Sequence, residues 1–227
     1  PRDEAKLSTL PLKAGRLEYV QLDAEDEVGV QNTIDELTRE HGAFDLMIHS
    51  VGVETSELLD NLSEREIEKI LRAKVSLATV LARQAEKGVK VVFNSSIVSE
   101  FGSYGQGPYA MANAYLNQLA ERSPQIVSLL WPGWDQVGMA ADTMNSRSLR
   151  LQGLTLIPPK RAREIFREVL GATGSVCVLD LNSLLDYGAI GQVRGEFSWL
   201  MKPASRDHSL FVLPGLTQKQ LPYLKDH

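Results

Sequence analysis

Phe93-Asn-Ser-Ser-Ile-Val-Ser-Glu-Phe-Gly-Ser-Tyr-Gly-Gln-Gly-Pro-Tyr-Ala-Met-Ala-Asn113 joins the end of an apolar run to the beginning of a helical pattern, and its reading decides the fold. Upstream, Val89–Asn94 has the length and the Val- and Phe-rich composition of a strand. Downstream, Pro108–Arg122 spaces its apolar residues as a helix does. The alternation continues on both sides. Strands are expected near Leu17–Leu22, Phe44–His49, Ile126–Trp131 and Val176–Leu181, with helices near Glu25–His41, Ser63–Lys87 and Lys160–Leu170. Ser63 and Glu66 have the spacing of a capping box, and Pro158-Pro159 suits the start of the last helix. Apolar strands alternating with amphipathic helices predict an open α/β fold, a parallel sheet with crossover helices. No fixed-period repeat occurs. From about Asp186 the alternation gives way to loop-rich sequence, so residues 1–185 read as one folded unit and residues 186–227 as an extension or linker.

The composition excludes several classes of function. With 227 residues, 43% hydrophobic and 23% charged, the chain is long and apolar enough to build a sizeable core. A formal charge of −5, with basic residues scattered among acids, gives no field for a polyanion, so nucleic acid is not an expected partner. Cys177, the single cysteine, lies in Val176-Cys-Val-Leu179 and reads as a buried structural thiol rather than a reactive one; no disulfide framework exists. The first residues, Pro1-Arg-Asp-Glu-Ala-Lys, have no signal-peptide pattern, and no run of about 18 apolar residues suggests a membrane span. A soluble, cytoplasmic setting is expected.

In an α/β sheet, ligands bind where the strands end. Ser96 closes the Val89–Asn94 strand, and Tyr109 opens the next helix thirteen residues later. Tyr109 and Asn113 are four apart, which places them on one helix face. One hydroxyl can polarise a carbonyl while the other supplies a proton. A phenol, with its reference pKa of about 10, relays protons poorly at neutral pH unless a cation favours the phenolate. Lys74, within Ile70-Leu-Arg-Ala-Lys-Val-Ser-Leu-Ala78, is either a solvated face residue or that cation.

Four motifs, in order along the chain, resemble the ketoreductase domains of polyketide synthases, a branch of the short-chain dehydrogenase/reductase family. His49-Ser-Val-Gly-Val53 is similar to the family's cofactor turn after its fourth strand, and Ala73-Lys-Val75 to its lysine motif. The Ser95-Ser96, Gly105-Gln106 and Tyr109-Ala-Met-Ala-Asn113 block resembles its catalytic segment. Trp131-Pro-Gly-Trp134 with Gly138-Met139 resembles the turn after its sixth strand and the start of its substrate lid. The resemblance spans about residues 16–180. In most of the superfamily a lysine follows the tyrosine by four residues; here Asn113 holds that place and the lysine lies upstream at Lys74, the exchange that marks the polyketide-synthase branch.

The resemblance implies a Rossmann-like doubly wound sheet and NADPH-dependent reduction of a β-ketoacyl thioester on an acyl carrier protein. Tyr109 would give the proton, Ser96 would hydrogen-bond the forming alkoxide, and Lys74 with Asn113 would orient the cofactor ribose and a relay water. Asp23 either meets the adenine or caps a helix. Ser50 and Gly52 would lie along the cofactor, and Pro132-Gly133 would meet its nicotinamide, although a plain turn role suits the glycines equally. Trp134 and Met139 would belong to the substrate lid. The partners implied are the carrier protein with its phosphopantetheine-linked acyl chain and neighbouring synthase domains. The tail implies a hot-dog dehydratase as one such neighbour, since Phe211-Val-Leu-Pro214 and Leu221-Pro-Tyr-Leu-Lys-Asp-His227 resemble the lead-in to that domain.

Competing readings are weaker. No G-x-S-x-G elbow surrounds Ser95 or Ser96, which argues against a serine hydrolase. The four histidines, at 41, 49, 208 and 227, have no i, i+4 pair, so no metal site is expected and His49 reads as a core residue. Lys160, Arg161, Arg163 and Arg167 form either a solvated helix face or a docking face for the acidic carrier. The family's glycine-rich phosphate turn has no counterpart; Gly171-Ala-Thr-Gly174 falls between a helix and a strand as a cap and turn. Residue 1 aligns just beyond the family's second strand, so two strands are expected to be lacking, leaving Leu17–Leu22 and Phe44–His49 with apolar, unpaired edges. That gap motivates the alternative of a non-catalytic, carrier-docking pseudo-ketoreductase. Glu54-Thr-Ser56 and Phe101 replace both family hallmarks of product stereochemistry.

Overall fold

In the computed structural model, residues 17–53, 57–135 and 156–180 are described, together with the backbone of Leu210–Pro214. The sheet runs β1 (Leu46–His49), β2 (Lys90–Ser96), β3 (Ile126–Trp131), β4 (Gly174–Asp180) and β5 (Leu210–Pro214) in that spatial order. The first four strands are parallel, with Ile48 opposite Val92, Phe93 opposite Ser128, Ser96 opposite Trp131 and Leu129 opposite Val176. β5 adds antiparallel to β4, in a part of the chain whose composition suggested only loop.

Helix α1 (Glu27–His41) precedes β1, and between the strands lie α2 (Glu64–Glu86), α3 (Val98–Phe101), α4 (Gly107–Glu121) and α5 (Pro159–Glu168). Their ends follow local chemistry. Ser63 accepts from the Glu66 amide at 3.4 Å while the Glu66 carboxylate accepts from the Ser63 amide at 2.8 Å, which is the expected capping box at the start of α2. Pro158 and Pro159 open α5, where a missing N–H costs nothing. Gly42, with φ of 90°, lets the chain turn off the end of α1.

Side chains on the two faces of the sheet go to separate cores. Val91 and Phe93 of β2 pack with Val30 and Ile34 of α1, Val80 and Leu81 of α2 and Leu116 of α4. Val92 packs on the other face with Val127, Leu129, Val176 and Ala162 and Ile165 of α5. Helices thus cover both faces, as doubly wounding requires, and β3 is buried at all six positions. A strand dry on both sides calls for a mostly apolar run, and β3 reads so in the sequence, broken only by Ser128, while β2 is apolar from Val91 to Phe93 and turns polar toward its end. Each fully buried Val, Leu, Ile or Phe contributes about 1.5–3 kcal/mol, so these two layers dominate the stability.

One expected strand is corrected. Residues 17–23 enter no ladder, and Leu17, Tyr19, Val20 and Leu22 stand exposed. Strand conformation is maintained by a neighbour's hydrogen bonds, and no described strand lies beside this segment, whatever its apolar content. The outer edge of β1 likewise faces no described strand, and Ile48 is 48% exposed. Gly171 and Gly174 occupy a single 3-10 turn and the start of β4, as a cap and turn would. No described helix is long and apolar enough to cross a membrane.

Candidate active site

β2, α2 and α4 converge where β2 ends. Ser96, the last residue of β2, is buried; its Oγ accepts from the Val98 amide at 3.3 Å, which leaves the hydroxyl proton for a ligand oxygen. Tyr109 lies in the first turn of α4 and is 7% exposed. Asn113, one turn on, is fully buried and donates through Nδ2 to the Tyr109 carbonyl at 2.8 Å. Its Oδ1 is buried with no hydrogen-bond partner among the described residues. A buried orphan acceptor costs about 1–3 kcal/mol, so this atom marks a place for a donor from outside the chain.

Lys74 resolves in favour of the inward reading. It sits mid-way along α2, 3% exposed, and its Nζ donates to the Asn94 carbonyl at 3.1 Å. The ammonium lies 5.4 Å from the centroid of the Tyr109 ring, within cation–π range. Burial lowers its pKa from 10.5 to about 8, so it remains mostly charged at neutral pH.

The turn after β1 passes over this lysine. A Cβ on Gly52 would lie 3.3 Å from Lys74 Nζ, so any larger residue would press on the ammonium. Before it, Ser50 Oγ accepts from Asn94 Nδ2 at 2.6 Å, and Asn94 Oδ1 accepts from Trp131 Nε1 at 2.8 Å. Asn94 therefore laces together the ends of three neighbouring strands. Sequence reasoning overlooked it, although an asparagine inside an apolar strand just before the candidate serine was a visible signal. His49 is fully buried; Nε2 is 3.0 Å from the Lys74 carbonyl, while Nδ1 has no partner among the described residues. Burial first, and then the Lys74 charge, lower its pKa from 6.5 to about 4, so it is neutral at physiological pH.

Beyond β3, Pro132 is buried and Gly133 takes φ of 139°, a conformation that favours glycine. The Gly133 carbonyl accepts from the Ile157 amide at 3.0 Å, tying this turn to the segment before α5. Trp134 packs edge-on against Trp131 at 5.2 Å. Met139 and Glu54-Thr-Ser56 lie outside the described residues. Asp23 is exposed and accepts from the Glu25 amide at 2.9 Å; Asp26 caps α1, which corrects the capping alternative for Asp23. No described contact ties Asp23 to the other candidates.

Elsewhere, Cys177 is buried, with its thiol pKa raised by desolvation and then by the Glu100 charge. Lys160, Arg163 and Arg167 are exposed, and Arg161 pairs with Glu164 and Glu168 on the same helix. Glu18, Glu40 and His41 cluster at the surface, with a His41–Glu18 contact of 3.2 Å.

Known proteins resemble this chain over much of its length. The KR domain family matches residues 1–136. Pks1 of Mycobacterium tuberculosis, whose name describes a phenolphthiocerol synthesis polyketide synthase as inactive, is 32% identical over 197 residues, covering 82% of this chain and 12% of its own. Pks15/1 of Mycobacterium bovis, a phenolphthiocerol synthesis polyketide synthase, is 32% identical over 183 residues, 76% of this chain and 8% of its own. The chain thus spans about a tenth of these relatives. The solved ketoreductase from the first module of phoslactomycin biosynthesis in Streptomyces sp. HK803 is 27% identical, with a TM-score of 0.68 over 75% of this chain and 41% of its own. With its parallel Rossmann-like sheet and its shared sequence, the chain belongs to the KR domain family, the ketoreductases of polyketide synthases within the short-chain dehydrogenase/reductase superfamily.

Proposed function

We propose that this chain carries the proton-transfer machinery for NADPH-dependent reduction of a β-ketoacyl thioester, presented on the phosphopantetheine arm of an acyl carrier protein within a polyketide synthase. KR domains are oxidoreductases that act on ketone groups. The observation that carries the finer reading is the buried Lys74 ammonium beside Tyr109, with Ser96 and Asn113 on the adjoining elements.

A nicotinamide cofactor fits the residues present. The orphan Oδ1 of Asn113 calls for a hydroxyl or water donor, and the lack of a side chain at Gly52 keeps the turn after β1 from pressing on the Lys74 ammonium. Lys74, Asn113, Ser50 and Gly52 would hold the ribose side, Pro132 and Gly133 the nicotinamide, and Asp23 the adenine. When bound, the cofactor supplies a hydride to the β-carbon. Tyr109 gives its hydroxyl proton to the carbonyl oxygen as the C=O π bond becomes an O–H bond. Ser96 donates a hydrogen bond to the same oxygen, where negative charge develops; a donor so placed is worth about 10²–10³ in rate. Lys74 stabilises the phenolate left behind, and the Asn113 site holds the water that returns a proton. Trp134 and Met139 would close over the acyl chain.

Residues 1–185 would form the reductase unit and residues 186–227 an extension toward a neighbouring synthase domain, of which a dehydratase is one candidate. A cytoplasmic synthase fits this chemistry. A second reading, a non-catalytic pseudo-ketoreductase, is favoured by the inactive designation of Pks1.

The test is NADPH consumption by the longest natural polypeptide containing this chain, supplied with a β-ketoacyl thioester. Tyr109→Phe should lower turnover by about 10²–10⁴-fold with NADPH affinity retained. Full activity in that variant removes Tyr109 as the donor; no consumption by the unsubstituted polypeptide selects the second reading.

A further inference from the structure

Two turns beyond Tyr109, the same helix row carries another polar residue. Asn117 is 4% exposed and uses both ends of its amide. Nδ2 donates to Ser99 Oγ at 2.8 Å and to Glu100 Oε1 at 3.0 Å, both on α3; Oδ1 accepts from Ser128 Oγ of β3 at 2.8 Å. The amide orientation follows from the donors around it. Ser99 donates its only hydroxyl proton to the Ser96 carbonyl, at 2.6 Å, so its oxygen can only accept from Asn117. A carboxylate at Glu100 also accepts. The nitrogen must therefore face α3, and the oxygen faces Ser128.

Two hydrogen bonds in series thus run from the backbone of Ser96, through Ser99, to the helix that carries Tyr109. The intervening loop, Gly102 to Gln106, turns through Gly102 and Gly105 at φ of 69° and 72°. We infer that Asn117 is a positioning residue, which fixes α3 against α4 so that the Ser96 and Tyr109 hydroxyls reach one substrate oxygen. The inference rests on the reductase reading proposed above. It concerns orientation, to which rate is steeply sensitive: a misplacement of about 1 Å costs on the order of 10²-fold.

The decisive variants alter hydrogen-bond direction at constant shape. Asn117→Asp is isosteric, but directs acceptors at the oxygens of Glu100 and Ser99. In the intact polypeptide, folded by circular dichroism, it should lower kcat by about 10–100-fold while KM for thioester and NADPH stay within about threefold. Adding Glu100→Gln supplies an N–H toward the introduced carboxylate and should restore kcat to within about threefold of the original. Should Asn117→Asp fail to fold, Ser99→Ala removes the link to Ser96 while retaining the contacts of Asn117 with Glu100 and Ser128; it should show the same fall in kcat at constant KM, to a lesser degree. Original kcat in a folded Asn117→Asp or Ser99→Ala protein overturns the inference, as does a loss that Glu100→Gln leaves untouched. These outcomes leave the reductase reading intact, whereas absence of NADPH consumption by the unsubstituted polypeptide removes both.

Discussion

Lys74→Met exchanges a buried ammonium for an apolar side chain of similar length, and its effect on stability changes sign with pH. Burial lowers the lysine from 10.5 to about 8; at about 1.4 kcal/mol per pH unit, keeping the charge inside costs about 3 kcal/mol. With the residue only 3% exposed, solvent screening relieves little of this. Between about pH 8 and 10.5 the unfolded chain binds the proton and the folded chain does not, so stability rises with pH through that window. Below it the whole penalty applies. Methionine removes the penalty together with the bond from Nζ to the Asn94 carbonyl, itself worth about 1–2 kcal/mol. The variant should be more stable than the original by about 1–2 kcal/mol at pH 7 and less stable by a similar amount above pH 10, with the crossover between about pH 9 and 10. Denaturant unfolding followed by circular dichroism from pH 7 to 10.5 measures the difference, and a parallel assay should find NADPH consumption abolished throughout. A methionine variant that is less stable at pH 7, or a difference that does not vary with pH, refutes the desolvated cation on which the site depends.

Two further outcomes follow from other buried groups. His49 is held neutral until about pH 4, whereas the unfolded chain takes up its proton near 6.5; stability should therefore fall by up to about 3 kcal/mol as pH drops through that interval. His49→Gln should flatten this acid slope in unfolding experiments, and an unchanged slope assigns it to other groups. Cys177, with its thiol pKa raised by burial, should react with aromatic disulfide reagents only after unfolding; labelling of the native protein at the rate of a free thiol contradicts its placement in β4.

The sequence was most readable where burial on both sides of the sheet favours apolar residues, and β2, β3 and α4 lie within a few residues of expectation. It misled where an element depends on a neighbour. Leu17–Leu22 has strand composition, but ladder bonds come from a partner that the described residues do not include. The reverse occurs at Leu210–Pro214, where pairing with β4 makes a strand in a loop-rich stretch. α3, at four residues, is shorter than any periodicity can register. In the candidate site, Ser96, Tyr109, Asn113 and Lys74 were nominated by spacing and resemblance, and burial decided which side Lys74 takes. Asn94 and Asn117 were not singled out, because their work is to hold other residues. A four-residue count onward from Tyr109 and Asn113 would have reached Asn117.

The same row limits how the protein can change. Tyr109, Asn113, Asn117 and Glu121 follow one another at four-residue steps along α4, and the last accepts from the Ser175 amide of β4 at 2.9 Å. Inserting or deleting one residue between them would rotate everything beyond by about 100°, detaching the helix from β3, β4 and α3 at once. Substitutions along the row can be offset one at a time; a change of length cannot. Indels in this part of the gene should therefore survive only before Gly107 or beyond Glu121, where the chain is free of the row.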